Sequence, residues 1–152
     1  MADRITKEQR SLNMSHIHGS NTSLELMVRK YLFNHGYRYW KNDRKLPGKP
    51  DIVLRKYRTT IFVNGCFWHH HNNCKLAYIP KSNTDYWINK LERNMKNDRK
   101  HTRELRNMGY HVITVWECSL KKDFYKEMNR VTGLLTRYGK MQETIKEIVK
   151  EN

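Results

Sequence analysis

Apolar residues along the chain recur in two rhythms, one near four residues and one of two, and the switches between them mark its elements. Leu24, Val28, Tyr31 and Leu32 follow helical spacing behind Thr22-Ser23-Leu24-Glu25, a capping-box pattern, and Gly36 stands where such a helix would end. Tyr37 to Trp40 predicts a short strand and Leu46-Pro47-Gly48-Lys49-Pro50 a turn-rich loop. Asp51 opens the strand Ile52-Val53-Leu54. The basic turn Arg55-Lys56-Tyr57-Arg58 links it to Thr59–Val63, which predicts an antiparallel hairpin with Asp51 at a sheet edge. A long helix is predicted from Asp85 to Met108, capped by Ser82, Asn83 or Thr84 and closed by Gly109, with Ile88, Leu91, Met95, Thr102 and Leu105 facing the core. Tyr110 to Trp116 is the strongest strand signal, and Glu117 and Cys118 end it. Phe124, Met128, Val131 and Leu135 predict a further helix, and Met141, Ile145, Ile148 and Val149 a second, highly charged one. This order predicts an α/β domain, a mixed sheet flanked by helices.

Length supports one domain in three parts: a basic arm over 1–21, a core over 22–122, and C-terminal helices over 123–152 packed on or extending the same domain. The arm carries Arg4, Lys7 and Arg10 but few apolar residues, so it reads equally as a segment that orders on a partner or as a frayed terminus. Lys and Arg number 30 against 15 Asp and Glu, a formal charge of +15, which points to a polyanion and first of all to nucleic acid. Three cysteines cannot all pair within one chain, so thiols bound to metal in a reducing cytosol are expected rather than disulfides. No apolar run has the length of a membrane helix, and no signal-peptide core follows Met1. The expectation is a soluble, cytoplasmic monomer without a membrane partner.

The densest chemistry lies in Gly65-Cys66-Phe67-Trp68-His69-His70-His71-Asn72-Asn73-Cys74. Cys66, Cys74, the distant Cys118 and one of the histidines would make a Cys3His zinc site that closes a long loop onto a distant strand. Unrelated buried thiols are the alternative, which the clustered histidines disfavour. In an extended segment His69 and His71 share one face and His70 the other, so at least one imidazole is left free to act as a general base. On the long helix Trp87, Lys90, Asn94 and Asp98 form a second stripe, too polar for a core and suited to a ligand-facing or solvated surface. Glu25 is accounted for by capping alone.

Pro50-Asp51, Gly65-Cys66-Phe67-Trp68-His69 and Trp116-Glu117-Cys118 resemble the very short patch repair endonucleases, the Vsr family. Asn13-Met14, the loop from Leu46 to Asp51, Tyr86-Trp87 and Asp98-Arg99 extend the resemblance from the arm to about Lys122. It implies a restriction-endonuclease-like fold with a structural zinc site. The implied activity is a Mg²⁺-dependent nick in one strand of double-stranded DNA beside a T·G mismatch. Such mismatches arise by 5-methylcytosine deamination, and the nick starts very short patch repair in a bacterial, nucleoid-associated setting where repair-protein partners would follow. It also implies Asp51 as the metal-binding acid, the Val63 carbonyl as a further Mg²⁺ ligand, His69 as general base or water-positioning group, and Glu25 and Asp98 as supporting acids. Cys66, His71, Cys74 and Cys118 would hold Zn²⁺. Phe67, Trp68 and Trp87 would wedge beside the mismatch with Met14 reaching in from the other groove, and Lys90 would also contact DNA. The alternatives are a restriction-type nuclease of different specificity and a zinc-stabilised DNA-binding module without catalysis. The second is disfavoured because Asp51, His69, Glu25 and Asp98 are all present.

Overall fold

A computed structural model describes residues 23–151, so the basic arm, Met14 and the capping residue Thr22 lie outside the described residues. Helix α1 spans Ser23–Asn34 and ends with Gly36 at φ +87°, where the Tyr37 N–H returns to the Leu32 carbonyl at 3.0 Å. The strand expected over Tyr37–Trp40 is instead the two-residue β1, Trp40–Lys41. β2, Ile52–Leu54, leads through a single 3₁₀ turn at Arg55–Tyr57 and a left-handed Arg58 into β3, Thr59–Asn64. Helix α2, Thr84–Asn107, is followed by β4, His111–Trp116. No side chain caps α2: Asn83 holds the cap position at φ 53°, and the Thr84 hydroxyl donates back to the Pro80 and Lys81 carbonyls. Glu117 and Cys118, expected to close β4, form the first turn of a short helix α3, Glu117–Lys122.

The sheet runs β1-β2-β3-β4, antiparallel for the first two pairs and parallel for β3 with β4, from Thr59↔His111 to Asn64↔Trp116. This is the mixed sheet flanked by helices that the order of elements predicts, and α2 is the crossover that a parallel pair requires. Asp51 precedes an interior strand rather than lying on an edge, because β1 covers the outer side of β2. On one face, Ile52, Leu54, Ile61, Ile113 and Val115 pack against Val28 and Leu32 of α1, Leu120 of α3, and Met128, Val131 and Leu135 of the C-terminal helix. Alternation sends Thr60, Phe62 and Thr114 to the other face, which α2 crosses with Leu91 and Leu105 buried. Ile88, Met95 and Thr102 of the expected core stripe are only partly covered.

The tail is one helix, α4, Phe124–Glu151, not two. Neither Gly133 nor Gly139 breaks it: an isolated glycine costs a helix only about 1 kcal/mol relative to alanine. Gly48 is required by geometry. It adopts φ +75°, and a Cβ there would fall 2.8 Å from the His101 side chain of α2, so the loop leading to Asp51 lies directly on that helix. Among the described residues no helix is long and apolar enough to cross a membrane.

The packing of α4 ends near Tyr138 and Gly139, which lie against His111 and Tyr57. Leu135→Ala should therefore cost about 2–5 kcal/mol, whereas Ile145→Ala, at a residue 49% exposed, should change stability by less than about 0.5 kcal/mol. Urea unfolding of both variants checks this, and equal losses would show that the distal half is also packed.

Candidate active site and metal centre

β2 begins opposite Ile61, so β3 beyond that point has no ladder partner on its β2 side. There the Asp51 carboxylate replaces the missing strand: its Oδ2 accepts the Val63 N–H at 2.7 Å. Within a strand the N–H and C=O of one residue leave toward the same side, so the Val63 carbonyl also faces Asp51. Glu25 of α1, only 2% exposed, approaches from below and pairs with Arg29 at 3.4 Å. Burial, followed by the negative charge of Asp51, pushes the Glu25 carboxyl up to about 7. Burial likewise raises Asp51 to about 6, although the Val63 N–H, His69, Arg29 and Lys49 all pull it down. One buried carboxyl, one half-buried carboxyl and a backbone carbonyl form a hard oxygen set, the donor chemistry a Mg²⁺ ion selects.

His69 lies in the loop after β3, and its Nδ1–H donates to Asp98 Oδ2 of α2 at 2.7 Å. An ionised carboxylate only accepts, so the proton sits on Nδ1 and the other ring nitrogen, Nε2, is left able to take one. The same loop is tied to α2 a second time, by Asn94 Nδ2 donating to the Trp68 carbonyl at 2.8 Å. The polar stripe on α2 thus faces the loop: Trp87 packs on Phe67 and Trp68, Asn94 holds the backbone and Asp98 the imidazole. Lys90, on the same stripe, is half-buried and takes part in no ion pair among the described residues. Phe67, 7% exposed, is the buried floor of this aromatic group, with Trp68, Tyr78 and Trp87 around it. Trp68 and Trp87 remain partly open, and Tyr86 beside Trp87 is exposed.

Cys66, His71, Cys74 and Cys118 come together with all their ligand atoms within 4.8 Å of one another. His71 Nδ1 lies 3.6 Å from the Cys66 sulfur and 3.4 Å from that of Cys118, and its ring stacks on Trp116 at 4.0 Å and 8°. The segment is a turn, not the extended chain from which the facing of the histidines was expected. His70 has φ 45° and Asn73 φ 55°, and His71 N–H closes onto the Cys66 carbonyl at 2.9 Å. His70 consequently points away from the sulfurs into a neighbouring cleft. Burial and the neighbouring cysteines drive the Cys66 thiol up to about 12, so a thiolate there needs a cation beside it. Three sulfurs and one imidazole in a closed group are the donor set of structural zinc.

Several residues of this site have no role assigned to them from the sequence. Arg29 is buried against Glu25, and its position one turn along α1 was the available clue. Glu117 accepts the Cys66 N–H at 3.2 Å through Oε1, and Trp116 supplies the face on which His71 lies. Both adjoin Cys118, but only the fold brings them to Cys66.

A model of the family described as DNA mismatch endonuclease Vsr matches residues 2–76. The type II nicking enzyme V.NmeAIP of Neisseria meningitidis serogroup A is 50% identical over 121 residues, 80% of this chain and 86% of that protein. The DNA mismatch endonuclease Vsr of Escherichia coli (strain K12) is 40% identical over 121 residues, 80% and 77% of the two chains. The type II nicking enzyme V.XorIIP of Xanthomonas oryzae pv. oryzae is 41% identical over 120 residues, 79% and 88%.

The two raised carboxyls carry a consequence for stability. Their folded values, about 7 and about 6, lie above the ordinary 4.5 and 3.8, so between these limits the folded state binds more protons than the unfolded one. Their ionisation therefore opposes folding: stability falls as pH rises from about 4 to about 7 and is lowest beyond that. In buffer without added divalent cation, Glu25→Gln should flatten the fall in melting temperature between pH 5 and 8 relative to the unmodified protein. Parallel melting curves would show that Glu25 is not held at this cost.

Proposed function

The chain belongs to the Vsr family of DNA mismatch endonucleases, and from that premise we propose that it nicks one strand of duplex DNA beside a T·G mismatch. In this reading the substrate is the product of 5-methylcytosine deamination, and the nick begins its repair. The observation that carries the chemistry is the His69–Asp98 pair, close enough to the half-buried Asp51 that the imidazole lowers that carboxyl. Hydrolysis forms a bond from a water oxygen to phosphorus and breaks the bond from phosphorus to a sugar oxygen, which leaves as an alkoxide and takes a proton from solvent. His69 takes the proton of the attacking water at Nε2, while Asp98 fixes the ring and stabilises the imidazolium that results. Asp51 and the Val63 carbonyl would hold Mg²⁺, with Glu25 behind them adding negative charge. The bound ion supplies charge neutralisation on the phosphate and lowers the cost of ionising water.

Mismatch reading falls to the aromatic group. A T·G pair differs from its neighbours less in its edges than in its softness, and a mispaired step is cheaper to unstack. Trp68 and Trp87, backed by the buried Phe67, stand on the loop and helix that carry His69 and Asp98, so insertion at a soft step and alignment of the base share one support. Met14 on the arm and Lys90 on α2 would add contacts to the DNA. Zinc at Cys66, His71, Cys74 and Cys118 would hold the loop in place.

The test of catalysis uses T·G and fully matched duplexes with Mg²⁺. The unmodified protein should nick only the mismatched one. Asp51→Asn and His69→Ala should each lower the nicking rate about 10²–10⁴-fold, with binding retained because the +15 charge is nearly unchanged. Equal cutting of matched DNA would favour a nuclease of different specificity, and full activity in either variant would misplace the site.

The zinc assignment stands on its own measurement. Protein purified without added metal should contain one zinc per chain, and Cys118→Ser should lower both zinc content and melting temperature. Zinc-free protein of undiminished stability would remove the ion from this account.

A further inference from the structure

From Asp98 toward the C-terminus of α2, away from Trp87, runs an open cleft of about 570 Å³. Asn64, His70 and Thr114 line one wall, and Arg99, Arg103 and Arg106 the other. The arginines stand at i, i+4 and i+7, so a single helix face presents all three. None of them is in an ion pair among the described residues. Asp98 is the only acid among the described residues lining the cleft, and it is engaged by His69. His70 adds an imidazole whose Nδ1 is buried and has no hydrogen-bond partner among the described residues.

A solvated helix face would leave arginines just as unpaired. It would not set them across a cleft from a half-buried histidine whose Nδ1 has no partner among the described residues, nor open that cleft onto His69 and Asp98. Asp98 and Arg106 are eight residues apart, about 12 Å along the helix axis, and successive phosphates of one DNA strand advance about 3.4 Å along theirs. The wall is long enough to follow roughly three phosphates.

We propose that this cleft is a backbone track: it takes the phosphates that adjoin the scissile one, held by Arg99, Arg103 and Arg106 with His70 opposite. Guanidinium forks match phosphate oxygens bidentately, and such contacts fix the register of the strand without reading its bases. The track's role is to set which phosphate stands at His69 once the aromatic group has found the mismatch. The proposal rests on the nuclease reading.

The experiment is a binding map on T·G duplexes in which single phosphates, numbered from the mismatch, are replaced by neutral methylphosphonates. The unmodified protein is compared with an Arg99→Ala, Arg103→Ala double variant, and melting temperature serves as the folding control for these exposed positions. The expected result is a several-fold loss for the unmodified protein at one to three consecutive phosphates flanking the cut, with no further loss at those positions in the variant. The variant's dependence of log affinity on log salt should also be shallower, by about 0.9 for each phosphate contact removed. Identical penalties in both proteins at every position, or an unchanged salt slope, would overturn the track. Absence of nicking by the unmodified protein would instead strike the nuclease reading, because the map is read from binding alone.

Discussion

Parallel pairing of β3 with β4 from Thr59↔His111 to Asn64↔Trp116 makes the two strands leave the sheet at the same end, and the rest of the site follows from that. The loop after β3 and the helix after β4 must start side by side there. Glu117 can then accept the Cys66 N–H at 3.2 Å, and the Cys118 N–H reaches the Cys66 sulfur at 3.4 Å. The crossover between the strands has to return along the sheet, and α2 does so over the face carrying Thr114. This lays Asn94 and Asp98 along the loop that β3 has just released. The imidazole–carboxylate pair and the thiol cluster are thus two results of one strand register, though they join residues 29 and 52 positions apart.

Electrostatics inside and outside this framework run in opposite senses. The chain carries a formal charge of +15, yet its floor holds Glu25 and Asp51 close enough that the Asp51 charge raises the Glu25 carboxyl. Arg29 does not cancel them: its guanidinium lowers both carboxyls, yet both still stand raised by burial. A basic exterior draws in a polyanion, while an inner acidic pair repels phosphate unless a cation lies between them.

What the sequence made legible was whatever depends on local periodicity. The stripe Trp87, Lys90, Asn94 and Asp98 is separable from the core by spacing and polarity alone, and Asn94 and Asp98 do meet the loop. Leu91 and Leu105 are buried as their spacing implies, but Met95 and Thr102, one turn away on the same stripe, line an open cleft. Periodicity tells which face a residue occupies and not whether anything covers it. The apolar positions of the tail read as two helices, one through Leu135 and one from Met141, whereas backbone hydrogen bonding carries α4 straight through. Least legible was the facing of three consecutive histidines. Alternation along a strand does not apply where His70 and Asn73 adopt positive φ, and one such residue redirects every side chain after it.

That redirection gives the loop its use. Over four consecutive residues Trp68 joins the aromatic group, His69 meets Asp98, His70 enters the cleft and His71 turns to the sulfurs. A strand could serve only two of these directions. Because the four share one short backbone segment, none can shift far without straining its neighbours: pressure on Trp68 pulls at the Asn94 bond to its carbonyl and, one residue on, at the imidazole. The stretch after Cys74 has no helix or strand before α2 and lends this segment little support. Support comes from the far side, through Cys66 and His71 against Glu117, Trp116 and Cys118. A cross-link at the thiol cluster would therefore stiffen the segment between the aromatic group and the imidazole, whereas a hydrophobic plug of the same volume would hold the loop down without fixing the direction in which His69 points.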